Sequence, residues 1–263
     1  MKLKRNEIAG VGAFAATVLA AATLAASPAS AGVTRIESSS TVLDVALTVS
    51  GVPVNIGPLL SAAVSVPPPP AGGKSAFAIS FSTTVGPLSV TSGQLGDEAN
   101  ANTIAGTGAA SSSIESLTVV LGSTADLTAG LVSSSSSVDG TSSPTGSTTL
   151  ADLTIEVLGT SGPIPVNPSL NEVIFDVGGL TITANRQIAD KTVNGRAITE
   201  GITTNALAFD FAGFPGVSGT IDIGQSAASI ETVPEPSTWA MMGLGFGGLA
   251  FVSWRGRKLA AIG

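Results

Sequence analysis

The sequence predicts an all-β fold, an antiparallel β-sandwich exported between an N-terminal signal helix and a C-terminal transmembrane helix. Three observations point there. Apolar residues recur at every second position in segment after segment, no long window shows the 3.6-residue spacing of an amphipathic helix, and Gly, Asn and Pro punctuate the runs. Val45, Leu47 and Val49 open the series, and Phe77, Ile79 and Phe81 follow, then Leu117, Val119 and Leu121, then Leu153, Ile155 and Val157. Val173, Phe175 and Val177 come next, then Leu180 and Ile182, then Leu207, Phe209 and Phe211, and finally Ile221 and Ile223. Period two places each set on one sheet face, and the Ser, Thr, Asp and Ala between them suit a solvated face. Gly178-Gly179 reads as a tight hairpin and Asn194-Gly195 as a type I′ turn. Roughly eight to eleven strands would close such a sandwich.

Two stretches interrupt the alternation and are expected as surface loops of one domain. Residues 66–73 hold Pro67 to Pro70 followed by Ala71-Gly72-Gly73, and residues 133–149 are rich in Ser, Thr and Gly, with Pro144. The strands before residue 66 are too few to close a core alone, which favours one domain over two. For the Ser/Thr tract a glycosylated stalk is the alternative.

The two ends read as addresses. Lys2, Lys4 and Arg5 precede an apolar run from Ala9 to Ala26, and the following box closes with Ala29 and Ala31. That order is a secretory signal peptide over residues 1–31, cut by signal peptidase after Ala31 so that the mature chain starts at Gly32. The alternative is an uncleaved anchoring helix. At the other end, Val233, Pro234, Glu235 and Pro236 lead into an uncharged span, Trp239 to Trp254, and then Arg255, Arg257 and Lys258. A transmembrane helix over about residues 237–254 fits, because sixteen residues reach only about 24 Å and the flanking Ser237 and Thr238 must help to cross a core of roughly 30 Å. The basic cluster stops the span on the cytoplasmic side. With cations inside at both ends, residues 32–232 lie outside the membrane. A short core helix is the bland alternative, and three cations directly after the run argue against it.

The last 31 residues resemble a PEP-CTERM sorting signal: Val-Pro-Glu-Pro at 233 to 236, a glycine-rich apolar span, and the Arg255, Arg257 and Lys258 tail, here followed by five further residues. The resemblance implies recognition of Pro234, Glu235 and Pro236 by an exosortase, transient anchoring in the inner membrane, and release or transfer to the cell surface. It also implies an exopolysaccharide or biofilm setting. The prolines themselves fix φ and remove backbone donors, which keeps this segment extended and accessible to a protease. A second, diffuse resemblance, to the choice-of-anchor P family, runs over Leu127 to Val132, Gly146 to Ile155, Asn205 to Leu207 and Ile221 to Ala227. That family pairs an exported region with differing anchors and implies no catalytic activity.

Composition narrows the chemistry. Of 263 residues only 11% are charged and 4% aromatic, and Cys, His and Tyr are all missing. Zinc centres, disulfide frameworks and Ser-His-Asp or Cys-His catalysis lose their residues. Residues 32–232 hold five basic side chains against sixteen acidic ones, a net of −11, which argues against a nucleic-acid partner. Their six Phe read as mostly core, and no Trp or Tyr offers a sugar-stacking platform. Acids such as Asp152, Glu156, Asp176, Asp210 and Asp222 stand singly at alternating or turn positions, so solvated faces explain them better than a paired-carboxylate glycosidase. Asp97, Glu98, Asn100 and Asn102 crowd what reads as a polar loop, where calcium is a conceivable ligand although the spacing fits no EF-hand. The reading is a non-catalytic, structural or adhesive exported protein without a cofactor, with an extracellular polysaccharide as a candidate partner. The alternative is a secreted carboxylate-based enzyme acting on polysaccharide.

Overall fold

A computed structural model describes residues 32–67, 71–161, 164–233 and 243–248. The chain folds as two antiparallel sheets, as the alternation requires, with more strands than the sequence count suggests. The first sheet has the order β12-β13-β14-β15-β1-β2. Its strands are β1 (Gly32–Val49), β2 (Val52–Val66), β12 (Glu172–Val177), β13 (Leu180–Asn194), β14 (Ala197–Phe211) and β15 (Val217–Val233). The second sheet is built on a long central hairpin, β7 (Thr107–Leu121) and β8 (Ala125–Asp139). Along one half of the hairpin β7 pairs with β6 (Leu95–Asn102) and β8 with β9 (Ser142–Ala151); β6 in turn pairs with β3 (Ala71–Ala78). Along the other half β7 pairs with β5 (Leu88–Ser92), which carries β4 (Phe81–Val85). There β8 pairs with β10 (Thr154–Val157), which carries β11 (Thr160–Ser161).

Ser116 in β7 and Asn185 in β13 have positive φ where one residue of each strand leaves the ladder, and pairing resumes in the same register beyond each. True register shifts fall elsewhere, as at Leu43/Val45 of β1 and Ser137/Asp139 of β8. Strand β2 lies at the edge of its sheet and contains Pro53 and Pro58, residues that lack a donor and discourage further pairing.

Four sequence expectations change. Residues 133–149 are not a loop: Ser133 to Ser137 lie within β8, where Ser134 and Ser136 turn inward, and Ser142 to Thr149 lie within β9, where Pro144, Gly146 and Thr148 take the inward parity. Within 66–73, Val66 ends β2 and Ala71-Gly72-Gly73 open β3, so these four positions belong to strands and not to a loop; residues 68–70 lie outside the described residues. Residues 97–102 form strand β6 and not a loop, so Asp97 and Glu98 face opposite sides of the sheet. Phe77 and Ile79 are exposed, because Ala76 and Ala78 take the inward positions of β3. Of the two turns, Gly178-Gly179 joins β12 to β13 as expected, whereas Asn194 is the last paired residue of β13 and the two-residue loop is Gly195-Arg196.

Buried apolar side chains form two clusters. The larger centres on Leu43, Leu88, Leu121, Ile182, Leu207, Phe209 and Ile223. The smaller comprises Ile36, Ala62, Val64, Val66, Ala99, Ala101, Val138, Ala228 and Ile230. Between them, strand after strand, the inward positions are polar. Ser38 and Ser40 stand between Ile36 and Val42, Asp97 between Leu95 and Ala99, Ser134 and Ser136 between Val132 and Val138, and Ser226 between Ile223 and Ala228. The result is a hydroxyl belt across the core. Its bonds run from sheet to sheet: Ser38 Oγ donates to the Asn100 carbonyl (2.9 Å), Ser134 Oγ to Ser226 Oγ (3.0 Å), and Ser136 Oγ lies 2.9 Å from Thr204 Oγ1 and 2.8 Å from the Ser226 carbonyl. The sheets approach closely here. A Cβ at Gly146 of β9 would lie 2.0 Å from Thr204 Oγ1, so only glycine fits.

Candidate functional site

Strands β15 and β1 are neighbours in the middle of the first sheet, so the sandwich begins and ends side by side. Thr34 Oγ1 donates to Glu231 Oε1 at 2.7 Å, which sets the first residues of β1 beside the last of β15. Whatever precedes residue 33 and follows residue 232 therefore leaves the sandwich from one end. The geometry suits a chain with an export signal before it and a membrane segment after it.

No loop separates the sandwich from the expected sorting segment. Thr232 is still paired with Ile198, Val233 closes β15, and Pro234 is the next residue. A proline has no backbone N–H with which to continue a ladder, so the strand stops where the sequence says that it must. Gly32, the expected mature N-terminus, opens β1. Ala29 and Ala31, Pro234 to Pro236, and Arg255, Arg257 and Lys258 lie outside the described residues. Of the expected transmembrane helix, residues 243–248 are helical. Among the described residues no helix is long and apolar enough to cross a membrane.

Among the described residues no group of three carboxylates is placed to hold a metal ion. Glu98 and Asn100 face solvent and bond to each other (2.6 Å), while Asn102 Oδ1 accepts from the Ile104 and Ala105 amides in the turn after β6. Asp139 ends β8, where the Thr141 amide and hydroxyl hold its carboxyl below the ordinary range.

Two acids have environments that the sequence did not announce. Asp222 lies on the outer face of the first sheet, where Asn205 Nδ2 donates to it at 2.7 Å and Arg186 stands 3.8 Å away. Burial pushes its carboxyl up, and Arg186 and Asn205 only partly offset this. Asp97 is 3% exposed, inside the hydroxyl belt, and neither carboxyl oxygen has a hydrogen-bond partner. Its position was legible in principle, because it shares parity with Leu95 and Ala99.

A family model for the PEP-CTERM protein-sorting motif matches residues 232–258. No curated protein matches the chain. The chain thus carries the signal of an exported protein that is held transiently at a membrane and processed by an exosortase. The matched segment starts at Thr232, so it includes the last two residues of β15.

Proposed function

We propose that this chain is a non-catalytic surface or extracellular-matrix protein, cut by signal peptidase after Ala31, anchored briefly through residues 237–254 and then released or transferred by an exosortase. Its role is structural or adhesive, and an extracellular polysaccharide is the partner that this role favours. The observation that supports the reading is the match to the sorting motif directly after a strand whose last residues lie beside the first residues of β1. The short hydroxyl and carboxylate side chains on the sheet faces favour hydrogen bonding over ring stacking. The similarity to the choice-of-anchor P family is in keeping with it.

Replacing Pro234, Glu235 and Pro236 by alanine tests the sorting step. Mass spectrometry of the mature C-terminus should find processing near the motif in the parent and a retained tail in the variant; the same mature end in both would refute motif-dependent sorting. Screening the secreted protein on exopolysaccharides tests the rest. Binding without turnover is expected, and turnover abolished by one Asp or Glu substitution would favour an enzyme.

A further inference from the structure

A carboxyl group that is removed from water and given no partner is costly to ionise. Asp97 is in that position. It sits at the middle of β6, opposite Ala76 of β3 on one side and Ser112 of β7 on the other. From the facing sheet, β1 presents Ser38 and Ser40 and β2 presents Ala62 and Val64. None of these can carry a charge. The charged side chains on the same strands are Arg35, Glu37 and Asp44 of β1, Lys74 of β3, Glu98 of β6 and Glu115 of β7; β2 has none. All but Lys74 alternate with the buried positions and face outward, whereas Lys74 shares the parity of Ala76, pairs with Ala99 and is exposed, so it is the one cation on the Asp97 side of these strands. Even the nearest hydroxyls are turned elsewhere, Ser40 to the Glu98 carbonyl (3.3 Å) and Ser112 to the Thr41 carbonyl (3.4 Å).

We propose that Asp97 makes the sandwich a pH-responsive joint: while the carboxyl is neutral the sheets close over it at the hydroxyl belt, and when it ionises water enters and the packing around β3 and β6 loosens. The neutral form can donate its proton to a neighbouring hydroxyl or carbonyl, whereas the anion needs donors that the belt has committed to other acceptors. The affected region is the small, alanine-rich cluster between the belt and the end where both chain termini leave. It has little apolar area with which to resist. The exported protein is therefore held tighter in an acidic surrounding than in a neutral one.

Burial raises the Asp97 carboxyl from 3.8 to about 6; the Ser112 and Ser40 hydroxyls stand close enough to lower it but, committed to backbone carbonyls, offset only part of the burial. The folded chain holds the proton more tightly than the unfolded chain does. The stabilisation is thus complete below about pH 3.8, fades as pH rises, and is lost above about 6. A shift of that size corresponds to about a hundred-fold in the opening equilibrium.

Hydrogen exchange on the full chain in mild detergent, corrected for intrinsic rates, tests the joint. Between pH 4.5 and 7.5, amides of Ala71–Ala78 and Leu95–Asn102 should lose roughly twenty-five-fold of protection, because part of the change already lies below pH 4.5, and those of Leu180–Ala184 should not. Asp97→Asn should remove the difference, and Glu98→Gln on the outer face should leave it intact. Protection that is independent of pH, or a dependence unchanged in Asp97→Asn, overturns the proposal. If Asp97→Asn does not fold, the side-chain carboxyl carbon of Asp97 can be titrated by NMR in the parent. A midpoint near 6 supports the joint and one near 3.8 overturns it.

Discussion

Ser136→Ala tests whether the serine tract of β8 is a strand with one face in the core. Ser136 is 1% exposed, and its hydroxyl joins Thr204 Oγ1 (2.9 Å), Ser226 Oγ (3.0 Å) and the Ser226 carbonyl (2.8 Å) across the gap between the sheets. Alanine deletes the hydroxyl and leaves that of Thr204, which is fully buried, without this partner; Ser226 keeps its bond to Ser134. One lost hydrogen bond with a stranded buried group costs about 1–3 kcal/mol. For a domain of this size each kcal/mol lowers the melting temperature by about 2–4 °C, so a fall of roughly 2–12 °C is expected. The neighbouring Ser135→Ala is the control. Ser135 faces solvent and bonds only to exposed Ser147 (2.8 Å), so its loss should stay within about 0.5 kcal/mol. Equilibrium urea unfolding and thermal melts followed by circular dichroism read both variants. Equal effects, large or small, would refute the alternation of faces and return the tract to a loop.

Other outcomes follow from the same packing. Ile223→Ala removes a fully buried side chain from the larger cluster and should cost about 2–5 kcal/mol in urea unfolding. Gly219→Ala should be similarly damaging for a different reason, since its φ is +117° and an added Cβ would lie 2.1 Å from the Ala46 carbonyl oxygen. Phe77→Ser should leave stability within about 0.5 kcal/mol despite the size of the side chain, because Phe77 is 63% exposed. Removing Arg186 should raise the Asp222 carboxyl further, seen as a higher NMR titration midpoint, because the guanidinium is the largest influence opposing its burial.

Period-two alternation sufficed to read the fold class, because each strand must turn one face to the core and the other to water whatever its partner. It failed where side-chain size did not report direction. Phe77 and Ile79 have core-like spacing, yet the alanines between them face inward, because β3 lies against a part of the core filled by small residues. The same ambiguity hid the belt. Ser134 and Ser136 share parity with Val132 and Val138, so the inward face of β8 was traceable, but a run of five serines shows no contrast by which to trace it.

The sorting motif was legible from residues alone, because such a signal acts through composition and order along the chain. The closeness of the two ends of the sandwich was not. It follows from β1 and β15 lying side by side, a pairing across nearly 200 residues that no local pattern encodes. The isolation of Asp97 likewise needed both sheets in place. Residues from β1, β2, β3 and β7 together exclude water from it, and desolvation belongs to that assembly rather than to the residue.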